Sequence, residues 1–319
     1  MKLIPITMVV IGIVALAGCS LDDSESSDVG AGSLADRGKL ESVELTVGGK
    51  EFTEQLVLCE ISAQALESAG ASVGRNCGMS GTNSVRSALE SGDIDLYWEY
   101  TGTGWLSHLG ESKTIADPTE LFQRLNEKDA AKNGITWLKP SPANNIYSVA
   151  VASETAEELG ISTMSEYAAL ANSDPGEASF CGAAEFLSRD DGWPGVEEAY
   201  GFKLPDSNVS ELAYGALYNS VDKGSPCKFG EVFSTDGRIP ALGLTVLQDD
   251  KQFFGVYNPA VSIRTQTLEK YPEIEKVLAP VAQRLDDATL QKLNAQVDVD
   301  GKTPEQVSKD WLTQQGFVS

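Results

Sequence analysis

The chain has 319 residues, with 47 acidic and 24 basic side chains, a net charge of −23 at pH 7 and 41% apolar residues. An acidic surface repels nucleic acid and anionic lipid, which argues against a nucleic acid partner. The apolar residues are spread along a chain long enough for two lobes of ordinary size. With one histidine, His108, and no Cys-x-x-Cys pair, we expect no zinc site and no cofactor.

The first 18 residues have the features of an export signal. Lys2 precedes an apolar run, residues 3–17, that is too short to span a bilayer comfortably. Leu16-Ala17-Gly18-Cys19 resembles a bacterial lipobox, in which the cysteine is lipidated and becomes the mature N-terminus. An ordinary cleaved signal with an incidental cysteine is the alternative. We expect a signal peptide at 1–18, a lipid anchor on Cys19 at the outer face of the cell membrane, and a disordered tether over 19–42.

Four further cysteines follow the predicted anchor, at Cys59, Cys77, Cys181 and Cys227. An even number of cysteines in an exported chain predicts two disulfides. We favour Cys59 with Cys77 and Cys181 with Cys227, because each pair then lies within one half of the chain. Four buried thiols are the alternative.

Strands and helices alternate along the chain. Residues 43–47 alternate apolar and polar side chains, Gly48-Gly49 ends this strand, and residues 53–68 have helical spacing. A second such unit combines a helix over 84–91 with a strand over 94–97. This alternation predicts an α/β protein. Other helices are predicted at 119–133, 165–171, 194–200, 210–222 and 268–277, with a two-part terminal helix at 286–316, and other strands at 147–152 and 242–247.

Three sequence blocks go beyond the needs of a generic α/β domain, namely residues 48–55, 95–104 and 235–239. They read GGKEFTEQ, DLYWEYTGTG and TDGRI, and they resemble the glycine betaine, carnitine and choline binding proteins of osmoprotectant ABC importers. Similar residues continue in the same order at Gly81-Thr82-Asn83, 191–195, 247–251 and 293–298. The resemblance therefore covers essentially residues 43–315.

The resemblance implies a two-lobed periplasmic-binding-protein-like fold of type II, with a mixed sheet flanked by helices in each lobe and ligand in the interlobe cleft. We expect hinge crossings near Asn144 and Gly255. Lobe 1 would then comprise residues 43–144 and 256–319, and lobe 2 residues 145–255. The implied function is capture of a quaternary ammonium osmolyte and its delivery to an ABC permease with its ATPase. We expect a monomer that contacts the membrane only through its lipid anchor.

Aromatic residues are the expected ligands of a trimethylammonium group, because this cation donates no strong hydrogen bond. Each aromatic face contributes about 0.5 to 2 kcal/mol of cation–π attraction. By order and spacing, the residues that match the cage of the family are Tyr100, Tyr147, Phe233 and Tyr257. Relatives often have tyrosine at position 233, and phenylalanine keeps the ring face. Core packing is the alternative for any one of them. Trp98 could also rim the cleft, whereas Tyr97 and Tyr214 resemble strand and helix packing, and Tyr218 is a further candidate.

A betaine ligand also carries a carboxylate, which needs donors. Lys50, Thr103 and Arg189 match the carboxylate-side positions of the family, and the two cations would clamp a closed state from opposite lobes. Ordinary solvated surface cations are the alternative. Choline has no carboxylate, so Lys50 and Arg189 mildly favour betaine-like ligands. Asn145, two residues before Tyr147, could turn a backbone carbonyl toward the ligand cation.

No set of residues predicts an enzyme. The single histidine, His108, more closely fits a surface or packing residue than a general base. Residues 220–223 match Ser-x-x-Lys, but no Ser-Asp-Asn or Lys-Thr-Gly follows in place. The alternative function is a ligand-sensing protein of the same fold, which binds another small cation and is coupled to a membrane receptor.

Overall fold

A computed structural model describes residues 30–319, which form two α/β lobes. Within this range, the strands are β1 (Glu44–Lys50), β2 (Ser72–Met79), β3 (Leu96–Tyr100), β4 (Ile135–Trp137), β5 (Tyr147–Ala152), β6 (Phe180–Gly182), β7 (Val209–Glu211), β8 (Phe229–Phe233), β9 (Leu244–Val246) and β10 (Pro259–Arg264). One five-stranded sheet has the order β2-β1-β3-β10-β4, and the other has the order β7-β6-β8-β5-β9.

Helices cover both sheets. They are α1 (Thr53–Ser68), α2 (Thr82–Ser91), α3 (Thr101–Thr103, continued by a π-helical turn Gly104–His108), α4 (Pro118–Asn133), α5 (Ser153–Leu159), α6 (Met164–Ser173), α7 (Ala184–Ser188), α8 (Trp193–Tyr200), α9 (Tyr214–Lys223), α10 (Arg238–Ala241), α11 (Thr265–Lys270), α12 (Glu273–Ala282), α13 (Asp287–Asp298) and α14 (Pro304–Gln314). Within residues 30–319, no helix combines the length and apolar character that crossing a bilayer requires.

Lobe 1 is built on the sheet that begins with β1. This strand pairs in parallel with β2 and β3, and β10 returns from lobe 2 to pair antiparallel with β3 and β4. Helix α1 packs against β1, and α12, α13 and α14 pack against α1. Their apolar side chains bury one continuous core that includes Leu58, Ile61, Leu293 and Leu312. The edge of the sheet that carries the C-terminal ends of β1 and β3 faces the other lobe.

Lobe 2 is built around β5, which pairs antiparallel with β8 and β9, whereas β6 pairs in parallel with β7 and β8. The register places Tyr147 directly opposite Phe233. Beneath them, the rings of Phe180 and Trp193 stack with centroids 3.7 Å apart in the lobe 2 core. The sheet therefore holds two cage candidates side by side on a packed base.

Both disulfides have the pairing that the sequence analysis favoured. Cys59 in α1 is bonded to Cys77 in β2, and Cys181 in β6 is bonded to Cys227, just before β8. Each bond lies within one lobe and joins two segments that are neighbours in that lobe. The prediction of two disulfides is confirmed.

Residues 30–40 are packed on lobe 1, so the prediction of a disordered tether up to residue 42 is wrong for this stretch. Leu34 and Leu40 are 0% and 1% exposed, and both belong to the lobe 1 core. Gly30 and Ser319 exchange two backbone hydrogen bonds of 3.1 Å. The two buried leucines and the backbone hydrogen bonds to the C-terminal residues together hold this polar segment on lobe 1. The predicted signal peptide and Cys19 lie outside the described residues.

Candidate ligand-binding site

The site lies where the chain passes between the lobes. The two crossing segments run side by side, since the Asn145 N–H donates to the Tyr257 carbonyl at 3.1 Å and the Tyr257 N–H donates to Asn144 Oδ1 at 2.7 Å. The cavity beside them is lined by Lys50, Glu51, Phe52, Thr82, Tyr100, Thr103, Asn145, Tyr147, Glu185, Tyr214, Phe233 and Tyr257. The structure thus brings together every predicted ligand-binding residue except Arg189.

Aromatic rings from both lobes form most of the cavity wall. Phe233 is central, with its ring centroid 4.8 Å from Phe52, 5.2 Å from Tyr147 and 5.4 Å from Tyr214. The centroid of the Tyr257 ring lies 6.5 Å from that of Tyr147. Closely spaced ring faces of this kind present negative charge density to a cation.

Two of these aromatic residues were missed by the sequence analysis. Tyr214 was assigned to helix packing, yet it begins α9 at the cavity wall. Phe52 follows β1 and was not considered, although it stands in the motif that carries Lys50. Its position two residues after Lys50, just past a predicted strand end in the same motif, is the signal that could have revealed it.

Trp98 and Tyr97 lie in the interior of lobe 1. Trp98 is 1% exposed, and its indole N–H donates to Ser62 Oγ at 2.6 Å. The interpretation of Trp98 as a rim of the cleft is therefore wrong, because β3 is covered by α1 on the face where Trp98 points. Tyr218 lies behind the cavity, where its hydroxyl accepts a hydrogen bond from the Phe233 N–H at 3.0 Å.

Lys50 is paired with a carboxylate of the protein. Its ammonium group donates to Glu99 Oε1 at 2.7 Å, and both side chains are buried. Glu99 also accepts from the Tyr97 hydroxyl at 3.0 Å and lies 3.1 Å from His108 Nε2. Burial raises the pKa of Glu99, but Lys50 and His108 outweigh burial and hold the pKa well below its usual range. The Lys50 ammonium lies 5.4 Å from the Tyr100 ring centroid, so the pair supports the cavity wall.

Arg189 lies beside the cavity and is also paired. Its guanidinium donates to both oxygens of Asp191, at 2.7 and 2.5 Å, and to Glu185 at 2.8 Å. Asp191 in turn accepts from the Tyr257 hydroxyl at 2.8 Å. The guanidinium carbon lies 5.8 Å from the Tyr147 ring centroid. Arg189 thus orients two aromatic residues of the wall, and Lys50 and Arg189 both already have carboxylate partners.

Polar contacts join the lobes on both sides of the cavity. On one side, Glu185 of lobe 2 accepts hydrogen bonds from the N–H of Thr82, at 3.1 Å, and from its hydroxyl, at 2.5 Å. On the other side, Glu54 of α1 accepts from Thr235, which follows β8, at 2.5 Å. Each of these bonds connects one lobe to the other.

Comparison with known proteins identifies the family. Residues 43–314 match the family described as the substrate binding domain of the ABC-type glycine betaine transport system. The chain belongs to this family. It is 37% identical over 275 residues to the glycine-betaine-binding protein of Pseudomonas aeruginosa. This match covers 84% of this chain and 86% of the relative.

Two further relatives of this substrate-binding family agree with the assignment. The apo structure of YehZ from Escherichia coli is 32% identical, has a TM-score of 0.62, and covers 86% of this chain and 99% of its own. The ergothioneine transport permease/binding protein EgtU of Helicobacter pylori is 34% identical over 89% of this chain. This chain spans half the length of EgtU. The predictions of a two-lobed α/β fold and of a substrate-binding protein of an ABC transporter are confirmed.

The family is a family of transport substrate-binding proteins. No group of three or more His, Cys, Asp or Glu side chains within residues 30–319 could hold a metal ion. His108, whose side chain is 2% exposed, faces Glu99. Of the two interpretations, surface or packing residue, the structure supports packing, with His108 at the end of the π-helical turn.

Proposed function

We propose that this chain captures a quaternary ammonium osmolyte, such as glycine betaine, choline or carnitine, between its two lobes. One observation carries the proposal: rings from both lobes converge on a single cavity, with Phe52 and Tyr100 on one side and Tyr147, Tyr214 and Phe233 on the other. A quaternary ammonium group has no N–H bonds to water to give up, so it loses less hydration in such a wall than a lysine-like ammonium does, and it gains cation–π attraction from several faces. The ligand named in the P. aeruginosa relative supports the same class.

The proposal extends to the setting of the protein. Cys19 would carry the lipid anchor, and the two lobes would work as a monomer at the outer face of the cell membrane. The closed form would deliver ligand to an ABC permease powered by its ATPase. Ligand would shift a balance between open and closed lobes, since it contacts both of them. The chain would bind without catalysis, because the polar groups around the cavity hold one another in ion pairs and hydrogen bonds.

Calorimetric titration of the purified protein tests the ligand class. The titrants are glycine betaine, choline, carnitine, proline betaine and ergothioneine under identical conditions. We expect saturable 1:1 binding with at least one of them. No heat with any of the five would contradict the proposal and would favour a sensor for a different small cation.

Substitution of Tyr147 tests the cage itself. We expect Tyr147→Ala to weaken binding about 10- to 100-fold, because it removes one ring face and its apolar contact. Tyr147→Phe is the matched control, since the Tyr147 hydroxyl makes no hydrogen bond with the residues that the structure describes, and we expect its affinity to stay within about 3-fold of the wild type. Calorimetry measures both variants, and circular dichroism checks their fold. An unchanged affinity in folded Tyr147→Ala would remove Tyr147 from the ligand site.

A further inference from the structure

Glu54 is a buried carboxylate with an unusual environment. It lies in the first turn of α1 and is 3% exposed, and its hydrogen-bond partners include no lysine, arginine or histidine within the described residues. Burial without a cation raises the pKa of Glu54, against the lowering effect of its hydrogen bonds. An anion in such a place needs many donors or a positive charge nearby.

All four partners of Glu54 donate to it. Oε1 accepts from the Tyr100 hydroxyl at 2.8 Å and from the Asn145 amide at 2.9 Å. Oε2 accepts from the Thr235 hydroxyl at 2.5 Å and from the Asn294 amide at 3.1 Å. Four donors arranged around two oxygens match an ionised carboxylate, which is an acceptor only.

The two oxygens face different parts of the protein. The partners of Oε1, Tyr100 and Asn145, both line the ligand cavity, so the charge lies one side chain behind the cavity wall. The partners of Oε2 bring together Thr235 of lobe 2 and Asn294 of lobe 1, and the Asn294 amide also donates to the Thr235 carbonyl at 3.0 Å. A single carboxylate therefore contacts the cavity wall and the seam between the lobes.

We propose that Glu54 is the buried counter-charge of the ligand cation and that it couples occupation of the cavity to closure of the lobes. The inference rests on the proposed function, since it requires a cationic ligand. A quaternary ammonium group in the cavity would supply the positive charge that the carboxylate lacks. In return, the carboxylate holds Tyr100 and Asn145 in place for the ligand, and Thr235 in place for the closed form.

A charge-removing variant tests the electrostatic half of the proposal. Glu54→Gln keeps the shape of the side chain but removes its charge, and we expect the Kd of the tightest-binding titrant to rise about 10- to 100-fold. Glu60→Gln is the matched control on the same helix, because Glu60 pairs with Arg75 at 3.1 Å, away from the cavity. We expect it to bind as the wild type does. Thermal melts establish that both variants are folded.

A second variant separates the effect of the charge from the effect of lobe closure. It also keeps the proposal testable if Glu54→Gln does not fold. Thr235→Val removes the lobe 2 donor and leaves the carboxylate charged. We expect a Kd about 2- to 10-fold above that of the wild type, together with a larger radius of gyration by small-angle X-ray scattering at saturating ligand. Folded Glu54→Gln with wild-type affinity, or with a loss no greater than that of Thr235→Val, would overturn the counter-charge. Wild-type affinity and radius in Thr235→Val would overturn the coupling.

Failure of this inference is distinguishable from failure of the proposed function. If the wild-type protein binds none of the titrants, the ligand class is wrong. If the wild type binds and the variants of Glu54 and Thr235 bind equally well, the ligand class stands and the role of Glu54 is wrong.

Discussion

Glu231 is a second buried carboxyl group near the cavity. It lies in β8, two residues before Phe233, and is 1% exposed. One carboxyl oxygen accepts a hydrogen bond from the Ala183 N–H at 2.7 Å, while the other has no partner among the described residues. Burial raises the pKa of Glu231 to about 8. The side chain is therefore mostly neutral at pH 7, and its protonation contributes to the pH dependence of folding.

We expect Glu231 to make the protein less stable as pH rises from about 5 to 8. The unfolded chain releases this proton near its ordinary pKa, whereas the folded protein keeps it up to about pH 8. The folded state thus binds more protons across this range, so its stability is fully present below the lower pKa and is lost as pH rises through the higher one. Glu231→Gln should remove this slope and raise the free energy of unfolding at pH 7 to 8 by about 1 to 3 kcal/mol.

Urea unfolding at pH 5, 6, 7 and 8 measures the effect. Glu158→Gln is the control, because Glu158 is an exposed glutamate at the end of α5, and we expect it to keep the wild-type slope. A wild-type slope in Glu231→Gln would show that Glu231 does not titrate in this range.

At the residue scale, sequence reasoning placed the cage aromatics better than the charges. Order and spacing in the family motifs select Tyr100, Tyr147, Phe233 and Tyr257, which all line one cavity. The ion pair of Lys50 depends on β1 and β3 meeting in the same sheet, which local sequence does not encode. A residue predicted to bind the ligand carboxylate was therefore found bound to a carboxylate of the protein.

At the element scale, long periodic segments were predicted well and short or interrupted segments were not. Helix α1 has the predicted bounds 53–68, and β5 has the predicted bounds 147–152. The helix predicted over 210–222 begins instead as strand β7, because residues 209–211 pair with β6. The helix predicted over 268–277 is divided into α11 and α12 at Pro272, which has no N–H to donate. In both cases, tertiary pairing or a missing donor outweighs apolar periodicity.

Gly237 lies close to an element of the other lobe. It precedes α10 in lobe 2, and a Cβ atom at this position would lie 2.6 Å from the Cα of Ala295 in α13 of lobe 1. The backbone of Gly237 is ordinary right-handed helical, with φ −70°, so alanine fits the local conformation. The obstacle to a side chain is therefore the other lobe.

Gly237→Ala should hold the lobes apart without damage to either one. We expect ligand affinity to fall about 5- to 100-fold, since the closed form would have to accommodate an overpacked contact. The melting temperature without ligand should stay within about 2 °C of the wild type. Gly215→Ala is the control in lobe 2, because a Cβ there meets nothing within 4 Å. Calorimetry and X-ray scattering with ligand measure the two variants. Wild-type closure in Gly237→Ala would show that the contact between Gly237 and Ala295 can rearrange to accept a side chain.

At the scale of the whole molecule, closure depends on a narrow connection. The two crossing segments bond to each other through Asn144, Asn145 and Tyr257, and lobes joined in this way move by small changes in a few backbone angles. The family resemblance predicted such an architecture, but the sequence did not reveal which polar contacts close it. Those contacts join residues as distant along the chain as Glu54 and Thr235.

The proposed anchor makes a prediction at this scale. Cys19→Ser removes the only thiol available for lipidation in the lipobox-like segment. We expect the variant to appear in the soluble extracytoplasmic fraction and the wild type in the membrane fraction, with equal ligand affinity, because the cavity lies in the folded lobes. Fractionation followed by immunoblotting measures the distribution. Membrane retention of Cys19→Ser would point to an uncleaved signal or another attachment.

The packing of residues 30–40 onto lobe 1 has a consequence for how the protein meets its neighbours in the membrane. Ten residues lie between Cys19 and Gly30, and a fully extended chain over the eleven Cα–Cα steps that join them reaches at most about 40 Å. An anchor on Cys19 would thus hold lobe 1 close to the membrane, within roughly one protein diameter of the bilayer. Lobe 2 would move relative to the anchored lobe 1 when the protein opens and closes. Ligand would then be captured near the permease, without long-range diffusion of the binding protein.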